Sequence, residues 1–94
     1  MTVVYHLCGY DRTTELLAAE YPVPARLLPT VRKLIEPVSD DRDLVLPYQL
    51  TDGAVLTLAR ALGLTIDPGE YHYYFEASDA TENVARHAVA TAAR

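Results

Sequence analysis

Two histidines, a cysteine and a glutamate fall on one parity of two strand-like segments in this 94-residue chain. His6 and Cys8 stand two apart near the start, and His72 and Glu76 lie in Tyr71-His72-Tyr73-Tyr74-Phe75-Glu76. Side chains alternate along a strand, so each pair projects to one side. If the two strands are neighbours, the four groups converge, and imidazole, thiolate and carboxylate are the donors that zinc takes. A Cys8–His6 or Cys8–His72 pair would suit nucleophilic chemistry. That chemistry also needs an orienting group and an oxyanion site, and the sequence offers neither. Cys8 equally suits a small apolar role, and the histidines suit an ordinary sheet surface. The structural roles are favoured. No catalytic residue, metal or cofactor is assigned, and His6, Cys8, His72 and Glu76 stand only as a reserve metal set.

The run Asp40-Asp41-Arg42-Asp43 lacks the alternating oxygen ligands, glycine and closing glutamate of a calcium loop. It reads as a solvated acidic loop. Glu15 and Glu20 could be drawn as a carboxylate pair, but without a known separation they imply no hydrolysis. No phosphate loop, dinucleotide fingerprint, metalloprotease helix, nucleophile elbow or paired-cysteine motif occurs. A non-enzymatic protein is expected.

The aromatic segment carries more. It holds three of the seven tyrosines and the sole phenylalanine. As a strand it turns Tyr71, Tyr73 and Phe75 one way and His72, Tyr74 and Glu76 the other. The first set suits a core, with hydroxyls reaching the rim. The second makes an aromatic but polar face.

The elements that must position these groups follow from pattern. Residues 3–10 are β-branched and aromatic, and Gly9 and Asp11 close a strand there. Asp11-Arg12-Thr13-Thr14 has turn chemistry, and residues 16–21 make the second arm of a hairpin before Pro22. Leu27, Leu28, Val31, Leu34 and Ile35 form one helical stripe. Pro29 is tolerated if that helix starts near residue 26. Residues 44–48 suggest a short edge strand, with Pro47 barring a central place. Thr51 or Asp52 caps a second helix carrying Val55, Leu58 and Leu62, and Gly63 has the character of its end. Asp67-Pro68-Gly69 is a turn into the aromatic strand.

The expected fold is α+β: a two-layer sandwich with a small, mostly antiparallel sheet and two helices on one face. Residues 1–79 form the domain, and 80–94 an alanine-rich helical or flexible tail. The helices should bury the odd-numbered side. Leu28, Val31, Leu34, Ile35, Val55, Leu58 and Leu62 should pack there on Tyr5, Leu7, Tyr73 and Phe75. The even-numbered side would stay uncovered unless the tail or a second molecule lies on it. That leaves Tyr10, His72 and Tyr74 as the candidate contact surface, tyrosine being enriched at interface hot spots.

Four short patterns resemble a family of small uncharacterised bacterial proteins. They are Tyr5-x-x-x-Gly9-Tyr10-Asp11, Glu20-Tyr21-x-Val23-Pro24, Tyr48-x-Leu50-Thr51 and Asp67-x-x-x-Tyr71-x-Tyr73-Tyr74-Phe75-Glu76. In that family an aromatic-x-x-x-Gly-aromatic-Asp start and a Tyr-Asp-Tyr-Phe-x-Glu-type end frame two helices, and here Tyr74-Phe75-Glu76 lacks the intervening residue. His72 stands where the family commonly has Asp. The resemblance covers residues 5–76. It implies the same element order and a bacterial cytosolic setting, and no activity.

Composition bounds the partners. A net charge of −5 without a basic cluster disfavours nucleic acid and anionic membrane surfaces. It favours a partner with basic groups. One cysteine allows no internal disulfide, and the start lacks the pattern of a signal peptide, so a cytoplasmic protein is expected. The expected role is an interaction or accessory module, working on a protein partner or as a homo-oligomer. An immunity-type blocker of a basic toxin is one version. The alternative is a small-molecule or metal-binding protein using the face of His6, Cys8, His72 and Glu76.

Overall fold

The β-branched opening of the chain pairs with its aromatic close. In a computed structural model, which describes residues 3–37 and 39–79, β1 (Val3–Asp11) runs antiparallel to β4 (Tyr71–Asp79). The register is unbroken from Val3 opposite Asp79 to Asp11 opposite Tyr71. The tail expected over residues 80–94 lies outside the described residues, as does Val38 at the head of the acidic loop.

On the other side of β1 lies β2 (Leu17–Val23), also antiparallel. The hairpin loop is built by Asp11. Its Oδ1 accepts from the amides of Thr13 and Thr14, each at 2.8 Å. Those bonds, Thr14 first, hold its carboxyl below the usual value. Glu15 completes the turn with φ of 61°, and the Asp11 amide donates to the Leu16 carbonyl. β2 runs two residues further than expected and takes in Pro22. An edge strand allows this, because its outer amides meet no ladder.

After a 3₁₀ turn at Ala25–Leu27 comes α1 (Leu28–Leu34), with Pro29 in its first turn, where no intrahelical donor is lost. α2 (Asp52–Leu62) starts and stops as its sequence demands. The Thr51 hydroxyl accepts from the Ala54 amide at 3.2 Å, and Gly63 closes the helix at φ of 72°. A Thr cap of this kind contributes about 1 kcal/mol.

The edge strand is displaced. β3 is only Tyr48–Gln49, pairing Tyr48 with Phe75 and Gln49 with Tyr74. The expected segment 44–48 is diverted by Asp41. That side chain is buried, and its carboxylate accepts from the amides of Val45 (2.8 Å) and Leu46 (3.1 Å). Those amides are spent on the loop and cannot join a ladder. The acidic run is thus only partly a solvated loop. Asp41 organises it, and Leu44, at φ of 53°, is fully buried. A leucine in the left-handed region costs about 1–3 kcal/mol, and burying its side chain offsets a cost of that size.

Among the described residues the sheet order is β2–β1–β4–β3, and the fold is α+β. The helices cover the odd-numbered side. Tyr5, Leu7, Tyr73 and Phe75 are buried with Val31, Val55 and Leu58, while Leu28, Leu34, Ile35 and Leu62 are half-buried against them. Val23, Leu44, Leu50 and Ala54 complete the core. The Tyr5 and Phe75 rings stack at 5.4 Å and 11°, and the Tyr5 hydroxyl donates to the Asp43 carbonyl at 2.6 Å. Burial, then nearby Tyr21, pushes the Tyr73 phenol up to about 12. No helix among the described residues is long and apolar enough to cross a membrane.

Gly9 lies inside β1, where a strand end was expected. A Cβ there would meet Tyr73 Cε1 at 2.9 Å and Tyr71 Cδ2 at 3.0 Å. The two rings occupy the space that a side chain would take, and that contact carries the strand through its glycine.

Two substitutions test this core. Phe75→Ala should cost about 3–5 kcal/mol, as for other buried aromatics, read as a lowered urea midpoint. Gly9→Ala should also destabilise, despite its higher strand propensity, because the Tyr73 ring must move. An unchanged midpoint for Gly9→Ala would mean that the rings are not seated there.

Candidate functional site

Register decides which even-numbered side chains meet. On the face away from the helices, three of the rows that cross the sheet hold the candidate residues. Pro22, His6 and Glu76 form one, and Glu20, Cys8, Tyr74 and Gln49 form the next. Leu17, Tyr10 and His72 form the third, with a bulge between Gly9 and Tyr10 bringing Leu17 opposite Tyr10. The expected contact residues Tyr10, His72 and Tyr74 therefore sit together at one end of the face.

The four metal candidates are spread along it. His72 stands four positions from Glu76 on the same strand, which is about 13 Å at the usual strand rise. Cys8 faces Tyr74, and its Sγ lies 3.8 Å from Glu20 Oε2. Among the described residues no group of three or more His, Cys, Asp or Glu side chains is arranged to hold a metal ion.

The face is also less open than expected. Cys8 is 0% exposed and His6 4%, while Tyr10, His72, Tyr74 and Glu76 are half-buried. Cys8 is short and lies on a central strand between the longer Glu20 and Tyr74. His6 lies between Pro22 and Glu76. Pro22 and Gln49 are exposed at the sheet edges, and the third row of Leu17, Tyr10 and His72 is half-buried.

There the surface folds into a cleft of about 430 Å³ lined by Tyr10, Glu15, Pro47, His72, Tyr74 and Glu76. The Tyr10 and Tyr74 rings meet edge to face, 5.6 Å apart at 86°. The Tyr10 hydroxyl donates to Glu76 Oε2 across the strand pair. The bond fixes the ring and leaves further lone pairs of the carboxylate for another donor. None of the described lining residues is a lysine or arginine.

Two walls come from loops. Glu15 is held in the left-handed region by the hairpin geometry, a conformation that costs a non-glycine residue energy. Pro47 shares the parity of Gln49, so it reaches the same face as Tyr74. The strap before it is held by Asp41, which accepts from Tyr48 Oη at 2.5 Å as well as from the two amides. Leu16, Val45 and Leu46, next to these walls in sequence, are large apolar residues exposed to solvent. Glu15 and Pro47 are not among the contact residues expected from the strand pattern, Tyr10, His72 and Tyr74. Parity alone cannot assign them, because it takes the bulge and the β3 register to bring them beside Tyr10 and Tyr74.

A third contact locks the hairpin loop beside the cleft. Arg12 Nε donates to the Gly69 carbonyl at 2.8 Å, and its Nη2 donates to the Tyr71 carbonyl at 3.3 Å. The turn entering β4 is thereby tied to the turn leaving β1.

Asp41 makes the strap pH-sensitive. Burial alone would push its carboxyl up. Hydrogen bonds from Tyr48, Val45 and Leu46, with the charge of Arg32, outweigh that and hold it below the usual carboxylate value. A carboxyl lowered on folding contributes stability above its unfolded pKa, and loses it as pH falls through the folded one. Acid should therefore loosen the Asp41–Tyr48 strap below about pH 4. Asp41→Asn should lower the melting temperature at neutral pH and flatten its fall between neutral and acid pH. Equal acid slopes for the two proteins would remove Asp41 from that role.

The family model described as Domain of unknown function (DUF7683) matches residues 4–76. No curated protein and no solved structure matches the chain.

Proposed function

This chain belongs to the DUF7683 family, a domain of unknown function, and we propose that it is a non-enzymatic interaction module whose contact face is the Tyr10–His72–Tyr74 cleft. The observation that carries this is the cleft itself. Its rings are seated by strand register and by the Tyr10–Glu76 hydrogen bond, so they lose little freedom on contact. Aromatic side chains fixed in a partly desolvated hollow are the usual anchors of protein interfaces. The exposed Leu16, Val45 and Leu46 supply apolar surface of the kind found at contact sites.

The partner is a protein, with a second copy of this chain as the self-associating form. A blocker of a basic protein is the version that suits the net charge of −5. A bacterial cytoplasm is the proposed setting, consistent with a single thiol that needs no oxidising compartment. A small-molecule ligand is the second reading. It is favoured by the cleft volume, which falls in the range of roughly 300–1,000 Å³ common to ligand sites.

A photo-crosslinking amino acid at position 74, in the full chain in its native cell, should trap one protein partner or a second copy. The same probe at the exposed Leu56 should not. With the trapped partner purified, Tyr74→Ala should weaken binding about fivefold or more, equivalent to about 1 kcal/mol, while leaving the fold intact by circular dichroism. For a second copy, the readout is the dimer constant in analytical ultracentrifugation. Unchanged affinity in Tyr74→Ala, and in Tyr74→Ala with Tyr10→Ala, would refute the proposed face.

A further inference from the structure

We infer that the cleft receives a cationic side chain, an arginine or lysine carried by the partner. This rests on the cleft being a contact surface and adds the chemistry that it selects.

Three features converge. Glu15 and Glu76 both line the hollow, and no described lining residue carries a lysine or arginine to neutralise them. Among the described lining residues an incoming cation therefore meets two carboxylates and no lysine or arginine, in a chain of net charge −5. The Tyr10 and Tyr74 rings stand at 86° to each other, and a perpendicular pair offers π surface in more than one direction. Guanidinium and ammonium groups are attracted to such faces, by about 0.5–1 kcal/mol when exposed and about 2 when desolvated. Finally, Tyr10 donates to one oxygen of Glu76. The carboxylate is thereby held in place and still has lone pairs for the N–H groups of a cation, in charge-assisted bonds stronger than neutral ones.

The arrangement also specifies what is disfavoured. An anionic side chain would face two carboxylates. A neutral apolar one would cover Glu76 and Glu15 without bonding them, which leaves desolvated charge. Arginine fits better than lysine, because its planar fork can stack on a ring and bond a carboxylate together.

The probe is the tripeptide Gly-Arg-Gly, compared with Gly-citrulline-Gly, which keeps the shape and most of the hydrogen bonding but loses the charge. Titrated into the full chain and followed by amide NMR, the arginine peptide should shift residues of the cleft, Tyr10, His72, Tyr74 and Glu76, above all others. The citrulline peptide should bind about tenfold more weakly. Added salt should weaken only the charged probe. Glu76→Gln should cut binding about tenfold while keeping an acceptor for Tyr10. Glu15→Gln, at an exposed loop position, should weaken it without risk to the fold. Equal binding of the two peptides, or shifts scattered away from the cleft, would overturn the cationic assignment. If that happens while Tyr74→Ala still weakens the trapped partner, the contact face stands and only its chemistry is wrong. If both fail, the contact face falls too.

Discussion

The nine-residue antiparallel pairing of β1 with β4 is the constraint on which the rest depends. It joins the two ends of the described chain, so it forms only after everything between them is looped out. Such long-range closure is entropically costly, and its return is large. It creates both central strands at once and sets the parity of every side chain on them. On the odd side it brings Tyr5 onto Phe75 and lays Tyr73 over Gly9. On the even side it sets Tyr10 opposite His72 and Cys8 opposite Tyr74. A slip of one residue would exchange core and cleft completely. The Gly9 contact opposes such a slip, since only one register puts a residue without a side chain beneath the Tyr73 ring.

The outer elements then have limited freedom. β2 must follow β1 through a short hairpin, and Asp11 shapes that hairpin with its own carboxylate. β3 needs only two residues, because its purpose is to seat Tyr48 over Phe75 and Gln49 beside Tyr74. The chain reaches that edge through a strap whose amides are satisfied by Asp41 and whose apolar weight is carried by Leu44. One buried carboxylate thus replaces the ladder bonds that a longer strand would have made.

Much of this was legible in the residues, for identifiable reasons. Period-two alternation in 3–10 and 71–76 reveals parity, so Tyr5, Leu7, Tyr73 and Phe75 could be assigned to the core. Thr51 and Gly63 are side chains whose local chemistry ends a helix without help from the rest of the fold, and both act where expected. What could not be read is what depends on pairing. The distance between His6 and His72 is set by register, and composition carries no trace of it. Gly9 looks like a strand terminator unless the tyrosines that cover it are known. Asp41 looks like one more surface acid among three aspartates, and only its partners, Tyr48 and two amides, distinguish it from Asp40 and Asp43. The apolar run at 44–46 resembles a strand because a buried leucine beside two exposed apolar residues has the same composition as an edge strand.

The same division explains where the cleft lies. Its floor is the rigid β1–β4 ladder, which fixes Tyr10, His72, Tyr74 and Glu76 relative to one another. Its walls, Glu15 and Pro47, belong to the two segments that depart most from regular structure. Glu15 adopts a backbone conformation that glycine would accept at lower cost, and the Asp41 strap gives up a strand to reach its position. Such features persist where surrounding structure over-determines them. Here that structure is the Asp11 hairpin, the Arg12 tie to Gly69 and Tyr71, and the buried Leu44. A glycine at 15 would relax the turn and remove a carboxylate from the cleft in the same change. Backbone ease and negative charge at this wall are therefore opposed, and the residue present is the one that keeps the charge.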